Sequence, residues 1–591
     1  MVESSPTLPL LPDDLPRGAD AVARGRRIGA ETTVGLSAQN RRFGTANEVE
    51  YKQKMEREGR IMSTLTVGMK NWAETREALQ RIWEETDRRG FRVDRYLFPM
   101  DRRMGVPPQD RLRAAKETGP MLETDQDWAE VASTVPIQPH MGDFMIGSPM
   151  SVDNARRALT VGVNYIGNIG QFSWKYPSWR GTDIDQVVET VAAVGLMASK
   201  VDDGAVIHEY LDDGFGALFH DFSSYVGWSL FDRYIVQDLC GAKLGVSYGG
   251  LTSNPVTKAA MILALEEVKS PTDAPTPFYY STTTGLTEDI EGNFGTLSVD
   301  VLFMMLAVQR AGGGAGLNPV PTTETLRIPT WQEIVAVQTV FRRIADDELD
   351  RVGAVIDWGP IEAVRDRLVS GGRRFFDNLM NGFAELGVAM DDPLHLLLAA
   401  RRLGAAEIER RWGVGEVTDD PYYNGYKPLL PTDTLSAFLE ARNSVRTKLA
   451  AETSYRMADE RVVVLSTDVH EFGMYLVADA VRSLGGDPVI AGTGVDPDEL
   501  ADLAMEVDAT TVLVSTHNGM ALTYAQQVLS ELGARRLTVK LVFGGVLNQD
   551  VADQDAPIDV TAEIQELGVG VCQDLTLLPE VLRSCRRLPA A

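Results

Sequence analysis

The residues of this chain that could do chemistry are few. Its 591 residues include six histidines and three cysteines, so imidazole has only His140, His208, His220, His395, His470 and His517, and thiol only Cys240, Cys572 and Cys585. One histidine stands in a pattern, Asp468-Val469-His470-Glu471-Phe472-Gly473. A loop histidine with a carboxylate two residues earlier suits a metal ligand. One ring nitrogen binds while the other donates to the carboxylate, which fixes the tautomer and raises basicity. The same residues also fit a helix N-cap aspartate beside an incidental histidine. Context separates the two: Ser515-Thr516-His517-Asn518-Gly519 and Gly544-Gly545 also end apolar runs. Three loops then bring a ligand, a small hydroxyl and a backbone free of side chains to one sheet edge.

Such an edge needs strands to carry it. VVVLS at 462–466, DPVIAGTG, TTVLVST and LTVKLVFGG read as buried strands separated by helices such as DPDELADLAMEVD and ALTYAQQVLSELG. That alternation predicts a doubly wound unit over 461–591, which binds ligands beyond the carboxyl ends of its strands. Upstream, VPIQPH at 135–140, VNYIGNIGQF at 163–172, VGLMASK at 194–200, AKLGVSYGG at 242–250 and TPFYYSTTTG at 276–285 are predicted strands, with amphipathic segments such as IDQVVETVAAV between them. Repeated strand–helix units imply a parallel sheet. Eight of them closed into a barrel take about 250 residues, which fits the interval from 130 to 400.

The expected fold is therefore α/β: a (β/α)8 TIM-type barrel followed by a flavodoxin-like (Rossmann-type) unit. Residues 1–60 read as an N-terminal extension that wraps on the surface or stays loose. The barrel with its helical flanks occupies 61–440, its first part leading in to the first strand; a linker helix covers 441–460. Barrels place reacting groups at the carboxyl ends of strands. That singles out His140, Lys175, Lys200 and Tyr248.

Composition narrows the partners. A net charge of −27 repels phosphate backbones and anionic lipid surfaces, so neither nucleic acid nor a membrane is expected. Three scattered cysteines make no disulfide framework or thiolate metal site, which suits a reduced, cytoplasmic protein. The first residues, MVESSPTLPLLPDDLPRG, carry acids where a signal peptide has bases, and VLFMMLAV at 301–308 is shorter than the roughly 18 residues of a spanning helix.

The three C-terminal motifs resemble the cobalamin-binding domain shared by methionine synthases and adenosylcobalamin mutases, with its pattern D-x-H-x-x-G, S-x-L and G-G. The resemblance implies that His470 is the lower axial ligand of cobalt and Asp468 its hydrogen-bond partner. Gly473 would open the slot for the nucleotide tail, Ser515 would contact that tail, and Gly544 and Gly545 would let it approach. His517 stands where the pattern has leucine, facing either the tail or the corrin edge.

Upstream, Gln138-Pro139-His140, the stretch 223–253 with GWSLFDRYIVQD, and Val320-Pro321-Thr322-Thr323-Glu324 resemble the catalytic barrel of glutamate mutase (methylaspartate mutase). This implies an adenosylcobalamin cofactor, a radical carbon-skeleton rearrangement and a homodimer. His140, Lys175 and Lys200 fall where that family has the arginines that grip its dicarboxylate. Asp221, with Tyr225 beside it, falls at the amine-contacting glutamate, and Glu324 at the contact to the adenosyl ribose. Val320 replaces a lysine of the family. Arginine and lysine are not equivalent at a carboxylate, so the implied substrate is a small anionic carboxylate, amino acids included, other than glutamate. The alternative is a corrinoid-binding methyl-transfer or sensor protein without mutase activity. A pyridoxal-phosphate aminomutase is set aside because MYLVADAVRSLGG, after the histidine motif, has no lysine. The acyl-CoA mutases are set aside because their CoA-threading motifs are not visible.

Overall fold

The computed structural model describes residues 10–12, 14–114, 119–420, 422–423, 425–450, 455–468, 471–517, 519–551 and 557–587. After helices α1 (Gly18–Ala30), α2 (Ala38–Phe43) and α3 (Glu48–Arg57), strands and helices alternate: β1 (Met62–Thr66), α4 (Trp72–Arg88), β2 (Arg95–Leu97), α5 (Asp125–Val131), β3 (Gln138–His140), α6 (Ser151–Val161), β4 (Tyr165–Gly167), α7 (Asp183–Ala198), β5 (Val206–Tyr210), α8 (Phe222–Arg233), β6 (Leu244–Ser247), α9 (Pro255–Glu267), β7 (Phe278–Tyr280), α10 (Ile290–Arg310) and β8 (Gly316–Asn318). Local chemistry sets several helix starts. Thr124 and Thr182 make capping boxes with Asp127 and Asp185, and Asn254 with Pro255 opens α9, each satisfying amide groups that have no partner inside the helix.

All pairings among these eight strands are parallel. One sheet runs β3-β2-β1-β8-β7 and another β4-β5-β6. Parallel bridges Met141–Ile166 and Tyr248–Tyr279 join their ends, so every strand has a parallel neighbour on each side in one cyclic order. The helices surround the strands, and one continuous apolar core extends from Ala21 to Val414. Helix α10, 21 residues long and apolar enough to cross a membrane, lies in this layer beside α9.

Two expectations change here. The first strands precede residue 130, because MSTLT at β1 and RYL at β2 bury Ser63, Thr64 and Arg95 and give no apolar run to recognise. VGLMASK is not a strand. Its residues 194–198 are the last turn of α7, a helix buried almost all round, where hydrophobicity loses the periodicity that tells helix from strand.

Residues 18–57 are structural rather than loose. Helix α1 packs along α7, and α3 lies across the amino ends of the strands. Lys52 Nζ donates to the Thr276 and Pro277 carbonyls before β7, at 2.9 Å each. The Tyr51 hydroxyl donates to Asp94 Oδ1, before β2, at 2.6 Å. Glu48 pairs with Arg95 and its amide donates to Asn164, before β4.

Helices α11 (Trp331–Arg343), α12 (Leu349–Gly353), α13 (Gly359–Glu385), α14 (Pro393–Leu403) and α15 (Ala405–Trp412) follow. A hairpin of β9 (Glu416–Val417) and β10 (Tyr426–Lys427) then leads to α16 (Asp433–Ala450). The C-terminal unit holds β11 (Val462–Ser466), α17 (Glu471–Ser483), β12 (Pro488–Gly492), α18 (Pro497–Glu506), β13 (Thr511–Thr516), α19 (Ala521–Ala534), β14 (Lys540–Gly545), a hairpin of β15 (Asn548–Gln549) and β16 (Ile558–Asp559), α20 (Thr561–Glu566), β17 (Gly570–Val571) and α21 (Leu578–Ser584). Its parallel sheet runs β12-β11-β13-β14-β17. Alternate residues feed separate cores on its two faces, Val463 and Leu465 into one and Val462 and Val464 into the other, the pattern of a strand covered on both sides.

Candidate active site

The carboxyl edge of the C-terminal sheet carries the motif residues that are described. Registers Ser466–Ser515–Gly544 and Thr516–Gly545 align the strand ends. Asp468, buried just beyond β11, accepts the His517 amide on Oδ2 at 2.9 Å, and its carbonyl accepts the Gly494 amide at 3.0 Å. Gly473 lies in the first turn of α17 so close to Ser515 that a Cβ there would collide with Ser515 Oγ. Gly545 has φ +92°, a conformation that favours glycine, and a Cβ on Gly544 would strike the Cys572 carbonyl. Thr516 Oγ1 is buried without a partner among the described residues. His517 is exposed. His470 lies outside the described residues.

The carboxyl ends of the first eight strands form a second polar site. At its floor His140 Nε2 and His208 Nδ1 are 3.1 Å apart, with the rings edge to face. Burial, together with neighbouring His208, Arg95 and Lys52, holds His140 well below the ordinary imidazole range; burial and Arg95 do the same to His208. Both rings are neutral at pH 7. Towards the mouth, Tyr210 and Tyr280 stack at 5.1 Å, and Thr66 Oγ1 meets Tyr280 Oη and Asn318 Nδ2 at 2.8 Å each.

Beyond β3 and β5, Asp143 hydrogen-bonds Asp213, and burial followed by the Asp213 charge raises its pKa well above the carboxylate range. The pair therefore holds a proton between two carboxyl groups. Gln171 anchors it, donating to Asp213 Oδ2 at 2.9 Å and accepting the Phe144 amide at 2.8 Å. Glu324, beyond β8, is exposed at the mouth, and the protein packed around it at longer range raises its carboxyl above the ordinary glutamate value.

These two edges face each other. The Ser178 amide, in the loop after β4, donates to Asp496 Oδ2 at 2.7 Å, and Arg180 pairs with Asp498; both aspartates lie between β12 and the first turn of α18. Arg102, after β2, lies against Gly494, the residue that also touches Asp468. Lys70, after β1, donates to the Val551 carbonyl at 3.4 Å.

The structure redistributes the predicted substrate residues. His140 and Glu324 lie at this mouth. Lys175 is exposed in the loop after β4. Lys200 lies just beyond α7, at the start of the turn that follows it, and pairs with Asp203 at 3.5 Å, which puts it at the amino end of β5, opposite the mouth. Asp221 is a buried N-cap of α8 that accepts from Ser223 and from the Leu429 and Leu430 amides; it pins the connector to the strands and has no free carboxyl face for a substrate. Tyr225 is 1% exposed and packs on Phe222 and Tyr248 as core. Val320 is buried, its amide donating to Ser281. His208, Asp143, Asp213 and Gln171 were not foreseen. Their only signal in the sequence is a polar residue one to four positions beyond, or within, a short strand.

No protein-family profile matches the chain. Over 129 residues, 21% of the chain, it is 34% identical to the 2-hydroxyisobutanoyl-CoA mutase small subunit of Aquincola tertiaricarbonis, covering 86% of that protein. The relative is a cobalamin-dependent mutase, from the acyl-CoA class that the sequence motifs alone did not suggest. With that identity across so much of a mutase subunit, the chain belongs to the cobalamin-dependent mutase family.

Proposed function

We propose that the protein is an adenosylcobalamin-dependent carbon-skeleton mutase of the glutamate-mutase type, acting on a small carboxylate. In this reading the cyclic order of eight parallel strands is a (β/α)8 barrel, and 461–591 is a flavodoxin-like cobalamin-binding unit whose strand order has its switch point between β11 and β13. The 129-residue match is comparable in length to that unit. The observation that carries the reading is the seam itself: the loop bearing Asp468 opposes the mouth bearing His140 and Glu324, joined through Gly494 and Arg102 and through Asp496 and Ser178.

The residues fit the cofactor. Gly473 against Ser515 and the left-handed Gly545 leave backbone without side chains beside the carboxyl edge, and Thr516 Oγ1 supplies a buried group still to be satisfied. By the resemblance, His470 would ligate cobalt and Asp468 would orient it. When bound, adenosylcobalamin would supply radical chemistry for hydrogen-atom exchange with the substrate. The chain's own residues position and enclose. Tyr210, Tyr280, Thr66 and Asn318 wall the mouth, Gln171 holds the Asp143–Asp213 pair, and the C-terminal unit excludes water from above. Lys175 is the remaining predicted lysine on the mouth side, and with Arg102 it opposes the negative field an anionic substrate must cross. A reduced cytoplasmic setting, from three unpaired cysteines, and a homodimer, from the resemblance, complete the proposal.

The test is spectrophotometric titration of the full chain with adenosylcobalamin, then exchange of tritium between cofactor labelled at the 5′ carbon and a panel of carboxylic and amino acids. Exchange with one of them supports the mutase. Binding without exchange, coupled to demethylation of methylcobalamin, would replace it with a methyl-transfer protein.

A further inference from the structure

We propose that His140 and His208 act as one subsite, which binds a substrate group offering both a hydrogen-bond donor and an acceptor: an uncharged carboxamide, or a carboxyl group that keeps its proton. The inference rests on reading the strand-end mouth as the substrate site and adds the chemistry of what is held at its floor. The two rings share one hydrogen bond of 3.1 Å between Nε2 of His140 and Nδ1 of His208. Their outer nitrogens, Nδ1 of His140 and Nε2 of His208, are buried and have no partner among the described residues.

Neutral imidazole carries one N–H and one bare nitrogen. If His140 donates in the shared bond, its outer nitrogen is bare and the outer nitrogen of His208 carries hydrogen. If His208 donates, the two roles exchange. Either way the pair presents one donor and one acceptor, and the partner that satisfies both has one of each. A carboxylate has acceptors only, so it would face the bare nitrogen lone pair unless a proton came with it.

The surroundings keep the pair uncharged. Arg95 from β2 and Lys52 from α3 add positive charge nearby, Tyr165 from β4 and Tyr210 from β5 flank the rings, and the centre of the Phe278 ring from β7 lies 5.1 Å from that of His140 and 5.4 Å from that of His208. Gly142, just beyond β3, brings backbone over the shared bond: a Cβ there would lie 3.3 Å from His140 Nε2 and 3.6 Å from His208 Nδ1. Both rings are at most 2% exposed. An unsatisfied buried polar atom is costly, and two of them on rings that share one hydrogen bond mark a place where a ligand completes the bonding.

The experiment uses the full chain labelled with 15N at its six histidines. Nitrogen–nitrogen coupling across the shared hydrogen bond identifies the pair without any substitution, and His140→Gln and His208→Gln confirm the assignment where they fold. The probes are acetamide and acetate between pH 6 and 8. Acetamide is expected to shift both signals with an affinity that does not change with pH. Acetate is expected to shift the same signals with an affinity that falls about tenfold per unit rise in pH, since a proton binds with it, and to do so also in Lys52→Met, which removes the nearby amine. Acetate binding independent of pH would overturn the proposal, as would the absence of any shift with either probe, the mark of a pair satisfied by water alone. Cobalamin titration of the same sample reports separately on the functional reading: a chain that binds acetamide at the pair but no cobalamin keeps the subsite and loses the mutase.

Discussion

Gly473 and Ser515 are separated by 42 residues in sequence but touch at the carboxyl edge of the C-terminal sheet, where no side chain fits on Gly473. Gly473→Ala therefore forces Ser515 or the start of α17 to move, and we expect cobalamin affinity to fall by about 1–3 kcal/mol, the range of an overpacked site; an unchanged absorbance titration would remove Gly473 from the slot. Lys52 makes a prediction of opposite character. Burial lowers its pKa from 10.5 to about 7. Between those values the unfolded chain holds a proton that the folded chain has released, so this lysine's contribution to stability grows as pH rises from about 7 towards 10 and is flat below 7. In thermal unfolding, wild type should gain on Lys52→Met by up to about 1.4 kcal/mol per pH unit across that window. A constant difference would contradict the shift. At this scale the sequence pointed to His140, Asp468 and Glu324, each following a legible strand or motif, and the structure puts all three at the carboxyl edges. The sequence hid His208, whose neighbours Val206, Ile207 and Glu209 look like those of any buried histidine, and it promoted Asp221, whose polarity serves the Leu429 and Leu430 amides.

Among elements, α3 departs furthest from expectation. A polar sequence, EVEYKQKMER, reads as surface, yet its Glu48, Tyr51, Lys52 and Met55 are buried across the amino ends of the strands. Their polar atoms are absorbed by carbonyls and charges that appear only once β2, β4, β7 and β8 are assembled. A chain beginning at Glu58 should leave Thr276, Pro277, Asp94 and Arg95 without these partners. It is expected to be insoluble or to unfold without a cooperative transition; a truncated chain with the Tm of the full protein would show that the plug is dispensable. The short strands teach the same lesson. β11 to β14 were legible because both faces are apolar, whereas β1, β2 and β8 are three to five residues long with polar members. Strand ends that build a site must carry polar side chains, and this removes the apolar signal that announces a strand.

For the whole molecule, the decisive feature is the opposition of two carboxyl edges. The pairs that hold it are sparse and partly exposed: Arg180 and Asp498 retain 56% and 35% of their side-chain surface. Exposed ion pairs contribute about 0–1 kcal/mol, so Arg180→Ala should barely move the unfolding temperature. It should nonetheless make residues 455–460 more susceptible to limited proteolysis by loosening the two halves, an effect that bound cobalamin reverses. Equal cleavage rates with and without the substitution would argue against a working seam.

The sequence by itself determined the C-terminal unit, its buried strands and the D-x-H-x-x-G motif at the end of the first of them, because runs of apolar residues and glycines with fixed neighbours are local signals. It also determined that strands and helices alternate upstream. Only the tertiary structure decided which polar residues share the mouth. His140 comes from β3, His208 from β5 and Glu324 from the loop after β8, and cyclic pairing of short strands brings them together. Lys200 and Asp221, equally polar in sequence, face the amino end and the connector. Residue type fixes what a side chain can do, while the end of the strand on which it falls fixes whether it reaches the mouth.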